Sequence, residues 1–273
     1  MDSSIWFWGF FASVLLFQLV AIPALILKKN DLADVLWGPA FPLCALLSLV
    51  FSGTDFSTLD ARKVLVLVLL TLWAVRLFLH VGWRNLSHRQ EDVRYAKWRR
   101  EWGPTATWRS YLQVFVLQAL ILGVFLIPVL WILAHPAWPL GPWAYLGLAV
   151  WTVGLLFEAI GDEQLRRFKS DPANKGRLMT TGLWSWTRHP NYFGEVLLWW
   201  GVWLIAMEIP GAWWTVIAPL GITFLILRVS GVSMLEELMR SRPGYEEYAN
   251  SVSVFFPWPP KRKRPGLSRD PGP

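Results

Sequence analysis

Apolar side chains fall in seven long stretches separated by short polar or Pro- and Gly-rich connections, roughly residues 6–27, 36–52, 64–82, 112–134, 144–162, 192–207 and 213–232. A helix that crosses a bilayer needs about 20 mostly apolar residues. The pattern therefore predicts an all-α polytopic membrane protein with about seven transmembrane helices. The second and sixth stretches are short and flanked by Pro or Gly. The first begins just after Asp2, with no basic leader and no small-residue cleavage site, and reads as a retained helix. Without internal repeats, residues 1–256 read as a single transmembrane helical domain and residues 257–273 as a basic, Pro-rich, disordered tail.

Composition sharpens this picture. Of the 273 residues, 54% are hydrophobic and 16% charged, with a mean hydropathy of +0.37, which argues against a soluble domain, a disordered chain or a coiled coil. Twenty tryptophans suit the lipid–water interface. The single Cys44 leaves no intrachain disulfide to read. A net charge of +7 admits nucleic acid, anionic lipid or an anionic small molecule as partner. Its distribution decides among them. With the N-terminus outside, 22 of the 26 Lys and Arg residues fall in inward-facing segments, whereas Arg62 and Lys63 lie outside and Arg76 and Arg228 within stretches. Positive residues mark the cytoplasmic side, so the reading is N-terminus out and C-terminus in, with no need for nucleic acid. The run Lys261 to Arg264 suits contact with anionic headgroups.

Ionisable groups at membrane depth are costly and mark functional candidates. Trp73, Arg76 and His80 share one face of the third stretch, and Glu158, Asp162, Arg166 and Lys169 form a stripe at the end of the fifth. Asn191 and Glu195 are one turn apart, and Arg228 lies late in the seventh. These clusters sit toward one membrane face, as the lining of a cytoplasm-facing cavity would. The plain alternative is interhelical ion pairing with snorkelling cations. The string Arg188-His189-Pro190-Asn191-Tyr192-Phe193-Gly194-Glu195 starts a helix at Pro190, beside cations at its positive end, an arrangement that favours anions. Gly194 leaves room for a ring or a backbone. The same string also reads as a helix start with interface anchors.

At this string the chain resembles the steroid 5-alpha-reductase superfamily, specifically its bacterial branch, over roughly the last 110 residues. The resemblance implies a seven-helix fold binding NADPH from the cytoplasm, with a cofactor-binding half at about residues 144–256. In the family signature Asp162, Arg177, Asn191, Gly194 and Glu195 match, Arg228 resembles the last-span Arg, and Tyr248 before Phe255-Phe256-Pro257 resembles the closing Tyr. Arg94, in Glu91-Asp92-Val93-Arg94-Tyr95, looks typical of the bacterial branch. Glu158 stands where the family has Asn. The family's proton-donating Glu and Tyr are unmatched, because no Glu precedes Glu91 and no Tyr precedes Tyr95. Asp34 and His80 are the nearest substitutes, although Asp34 also suits a helix cap.

The implied activity is reduction of a C=C bond in a lipid-soluble enone or sterol-like substrate, entering from the membrane past Trp37 and Trp73. The cofactor site implied by the resemblance holds Asp162, Arg166, Arg177, Arg188, His189, Asn191, Tyr192, Gly194, Glu195, Arg228, Tyr248 and Arg94, with Lys97 and Lys169 also available for phosphates and with no metal. Sterol reductases sharing an Arg-His-Pro-Asn-Tyr string would be NADPH reductases too. The rival is a membrane methyltransferase of the isoprenylcysteine or phospholipid type, which resembles this chain in an Arg-His-Pro-x-Tyr string and a Glu-Glu pair such as Glu236-Glu237. It would use S-adenosylmethionine, which has a cationic sulfonium and no phosphate. A scaffold or transporter is the non-enzymatic alternative, but matching halves are not seen. The expected location is a cell membrane, the inner one in a bacterium, with no obligate protein partner.

Overall fold

The computed structural model describes residues 1–87 and 91–259. It is all-helical, and among the described residues the only extended pairing is an isolated bridge between Thr187 and Ser253. Among the described residues six helical stretches are long and apolar enough to cross a membrane: Ser3–Leu27, Leu32–Phe51, Ala61–Gly82, Arg94–Phe125, Pro142–Ser170 and Ala212–Met239. The sixth predicted stretch becomes helix α9, Pro190–Ala206, of 17 residues. At about 1.5 Å per residue it reaches roughly 25 Å, short of the ~30 Å hydrocarbon layer.

The first helices follow the hydrophobic pattern closely. Helix α1 (Ser3–Leu27) starts where the Asp2 carboxylate accepts the Ser4 N–H at 2.9 Å, and it ends at Lys28 in the left-handed region. Helices α2 (Leu32–Phe51) and α3 (Ala61–Ser87) follow, and α2 stays helical through Pro39 and Pro42. The fourth stretch starts earlier than predicted. It runs through α4 (Val93–Trp102), α5 (Ala106–Ser110), a π-helical turn (Tyr111–Val116) and α6 (Leu117–Phe125). It breaks at Leu126, because Pro128 lacks an N–H and fits the first turn of a new helix, α7 (Ile127–Ala134). Helix α8 (Pro142–Ser170) is the longest. Helix α10 (Ile217–Phe224), a second π-helical turn (Leu225–Ser230) and α11 (Val232–Met239) complete the last long stretch, before α12 (Tyr245–Ser251).

The chain forms two compact units, Met1–Ala149 with Trp199–Gly221, and Val150–Leu198 with the residues from Ile222 onward. The first has an aromatic core. Trp73 and Trp199 are fully buried 5.5 Å apart, with Phe41 at 5.5 Å and 4.7 Å from them. Trp73, suggested by sequence as a cavity wall, is therefore packing. Trp37 meets Phe17, Phe41 and Phe125 edge-on.

Arg62, read from sequence as an outer loop charge, is only 1% exposed. It ion-pairs with Glu208 and donates to the carbonyls of Ile205, Pro139 and Trp138. Glu208 also accepts the backbone N–H groups of Gly141 and Trp143 at 3.0 Å each, so a buried charge pair is fully hydrogen-bonded. Removing one partner strands the other. Arg62→Met is expected to cost about 3 kcal/mol, read as a lower Tm in detergent, whereas an unchanged Tm would show the network to be dispensable.

In the second unit Gly194 packs against the backbone of Gly154 and Glu158, where a Cβ would collide, so α8 and α9 meet at backbone contact. Trp184 donates Nε1–H to the Gly161 carbonyl at 3.0 Å. The C-terminal segment lies along the start of α9. Arg188 N–H bonds the Ser253 carbonyl at 2.9 Å, the Thr187 hydroxyl the Phe255 carbonyl at 2.8 Å, and Trp258 N–H the Trp186 carbonyl at 3.0 Å. The predicted tail thus begins as a bonded strap, and its basic run at residues 261–264 lies outside the described residues.

Candidate functional site

A cavity of about 470 Å³ opens within the second unit, bounded by the end of α8, the loop after it, the Trp184 turn, the start of α9 and the α11–α12 hairpin. Four polar side chains form one wall. Arg188 grips Glu236 with two bonds, Nε to Oε1 at 3.0 Å and Nη2 to Oε2 at 2.7 Å. Its Nη1 donates to the carbonyls of Ala249 and Val252, at 2.7 Å each. The His189 Nε2 lies 2.9 Å from Glu236 Oε1. The two side chains of the ion pair are 11% and 17% exposed, so the pair is largely withdrawn from water. Tyr245 is 6% exposed; its hydroxyl lies close enough to Glu236 to feel its charge but makes no aligned hydrogen bond. Burial, then the carboxylate, push its phenol up to about 12.

Burial also pushes the His189 imidazole below its ordinary value of 6.5, against the pull of Glu236 toward the charged form. Below that value the unfolded chain takes up more protons than the folded one. The contribution of His189 to stability is therefore complete above about pH 6.5 and is lost as the pH falls. Wild-type protein is expected to lose more Tm than His189→Gln between about pH 7.5 and pH 5. Parallel pH profiles would remove His189 as the cause.

The signature residues predicted from sequence are only partly gathered at this cavity. Arg177, Arg188, His189 and Tyr248 line it. Tyr248 is fixed by its hydroxyl on the Trp184 carbonyl at 2.6 Å, and burial raises its phenol. Asp162 and Asn191 do come together, Asn191 Nδ2 donating to Asp162 Oδ1 at 3.0 Å, but they join α8 to α9 outside the cavity lining. Gly194 meets the α8 backbone, Tyr192 stacks on His189 with ring centres 5.7 Å apart, and Glu195 is half-buried on α9. Arg166 is exposed and paired with Glu163 at 2.7 Å. Arg228 is exposed on the π-helical turn. Neither Arg166 nor Arg228 lines the cavity.

The profile of the family described as "Protein of unknown function (DUF1295)" matches residues 20–252, from late in α1 to the end of α12. The chain belongs to the DUF1295 family. An uncharacterized protein of Schizosaccharomyces pombe is 27% identical to it over 257 residues, covering 84% of this chain and 73% of the relative. A probable O-methyltransferase of Ustilaginoidea virens is 41% identical over 51 residues, only 19% of this chain and 18% of that protein. No solved structure matches.

This DUF1295 protein carries a second polar cluster, in its first unit. Tyr95, on α4, donates its hydroxyl to Asp34 Oδ1 at 2.7 Å. Arg94 reaches Asp34 Oδ2 at 3.0 Å and Asp92 Oδ1 at 3.0 Å. Arg94, assigned from sequence to cofactor phosphates, is thus spent on two carboxylates. Asp34 orients a phenol rather than capping a helix end. Arg76 and His80 are half-buried on α3 after Trp73. Among the described residues no group of His, Cys, Asp and Glu suits a metal ion.

Sequence reading missed Tyr95, Glu236 as the partner of Arg188 and His189, and Tyr245, Lys175 and Arg242 on the cavity wall. The Glu236-Glu237 pair was visible, but only as a mark of the rival enzyme. Lys175, Arg177 and Arg242 are exposed and form no ion pair among the described residues.

Proposed function

We propose that this DUF1295 protein is a membrane reductase that uses NADPH to reduce a C=C bond in a lipid-soluble enone or sterol-like substrate. One observation carries the reading: three uncommitted cations, Lys175, Arg177 and Arg242, line a cavity together with Trp184, Tyr245 and Tyr248, where the charges of Arg188 and Glu236 meet each other. A diphosphate with a further 2′-phosphate needs such a set, and Arg suits phosphate bidentately. The buried, unpartnered Tyr245 hydroxyl fits a nucleotide better than a bare ion.

When bound, the nicotinamide supplies a hydride to one carbon of the activated alkene. The chain's part is to hold phosphate at Lys175, Arg177 and Arg242, to keep α8 against α9 through Asp162 and Asn191, and to donate a hydrogen bond to the carbonyl oxygen where negative charge grows. Tyr95, oriented by Asp34, is the candidate donor. The same proposal takes α9 as a seventh crossing element, with the N-terminus outside and the cavity facing the cytoplasm. Its support is the placement of 22 of the 26 basic residues.

The methyltransferase reading keeps one specific observation in its favour: Arg188, His189 and Glu236 form a single cluster, and the 51-residue match is to a probable O-methyltransferase. The Glu236 charge, however, is already met by Arg188, which leaves little for a sulfonium. Separate titrations of NADPH, NADH and S-adenosylmethionine decide between them by thermal stabilisation. A saturable rise with NADPH is expected. A rise with S-adenosylmethionine alone would replace the reductase reading with its rival.

A further inference from the structure

We infer that the cavity of the second unit holds the phosphorylated nucleoside end of its ligand, with Lys175, Arg177 and Arg242 as phosphate contacts and the Tyr245 hydroxyl as the hydrogen-bond partner of the heterocycle. It rests on the nucleotide reading above and adds which part of the nucleotide sits there and that Tyr245 holds its heterocycle.

Charge on the cavity lining is divided by exposure. Arg188 has four of its N–H bonds spent on Glu236, Ala249 and Val252, and so offers an incoming anion almost nothing. The exposed cations are uncommitted, and backbone turns fix where they stand. Lys175 N–H bonds the Pro172 carbonyl at 3.1 Å and Arg177 N–H the Asn174 carbonyl at 2.9 Å. Gly176 between them takes φ +82, so Lys175 and Arg177 flank a tight turn. Between α11 and α12 Arg242 N–H bonds the Met239 carbonyl at 2.9 Å, and its own carbonyl accepts the Tyr245 N–H at 3.1 Å. Arg242 and Tyr245 therefore belong to one turn, which presents a cation outward and a phenol inward. The one carboxylate beside the loop cations, Asp171, accepts the Ala173 N–H at 2.9 Å.

The deeper wall suits a flat ring. Trp184 and Tyr248 are locked together by the bond from the Tyr248 hydroxyl to the Trp184 carbonyl, and Met179 and Met239 supply adaptable apolar surface. Tyr245 is over nine-tenths buried with its hydroxyl unpartnered, and a heterocycle nitrogen or exocyclic group satisfies it. The volume, about 470 Å³, lies in the range of small-molecule sites.

The test uses the detergent-purified full chain with adenosine 2′,5′-bisphosphate, adenosine, inorganic phosphate, phosphatidic acid and NADPH as separate probes. The bisphosphate is expected to raise Tm saturably and to displace NADPH. Arg242→Met and Lys175→Met should each weaken bisphosphate binding about tenfold, the loss of one charge-assisted contact, and leave adenosine within about twofold. Tyr245→Phe should weaken bisphosphate and adenosine alike, about fivefold. Stabilisation by NADPH without competition from the bisphosphate overturns the inference and leaves the reductase reading standing. Binding of the bisphosphate without NADPH supports the inference and removes the reductase. Equal stabilisation by inorganic phosphate or phosphatidic acid overturns it in favour of a bare anion or headgroup site. So does equal weakening of adenosine and bisphosphate in the Arg242 variant.

Discussion

Glu236→Gln is expected to destabilise the protein by about 3–5 kcal/mol, because it leaves the largely buried Arg188 guanidinium without its counter-charge. The carboxylate is the common acceptor for Arg188 and His189, and Arg188 in turn holds the carbonyls of Ala249 and Val252. Its loss therefore loosens the α12 end and the strap that pairs with Thr187 and Arg188 along the start of α9. The neighbouring Glu237 is exposed, so Glu237→Gln should change stability by no more than about 0.5 kcal/mol. Thermal unfolding in detergent distinguishes the two, and similar Tm values for both would deny Glu236 this role. The double variant Arg188→Met with Glu236→Met should recover part of the loss, since neither charge is then stranded.

The helices were legible because bilayer-length apolar runs need no partner to be recognised. Their number and ends were less so. Helix α9 came out at 17 residues, and the fourth stretch ended at Phe125 because Pro128 restarts the helix there. The site was legible where it depends on neighbours in sequence. Arg188, His189 and Tyr192 cluster at the start of α9. It was not legible where a contact spans distance. Nothing in the local pattern says that Arg188 will spend itself on Glu236, 48 residues away, or that Arg62, at the start of α3, will pair with Glu208. Such pairings are set by which polar groups the packing strands together, and hydropathy treats every one of those residues as a surface charge. Tyr95 was missed for the same reason. The early helices hold no Tyr, and the phenol arrives on α4, 61 residues after the carboxylate it bonds.

Under the reductase reading Tyr95→Phe should lower turnover about 10²–10⁴-fold, the usual contribution of one positioned proton donor, while NADPH still stabilises the protein as in wild type. The substitution removes a single oxygen from a buried ring, so folding should lose only about 1 kcal/mol for one neutral hydrogen bond. Asp34 keeps its contact with Arg94 in that variant, so the carboxylate is not left without a counter-charge. Asp34→Asn takes away the orientation and the charge but leaves the phenol, and should lose less turnover than Tyr95→Phe. If the two residues act as one unit, the double variant will be little slower than Tyr95→Phe alone. The comparison separates chemistry from packing. A donor changes turnover with cofactor binding and Tm nearly constant, whereas a structural hydrogen bond changes Tm in step with activity. Wild-type turnover in Tyr95→Phe would remove Tyr95 from the reaction and leave its bond to Asp34 as a joint between α2 and α4.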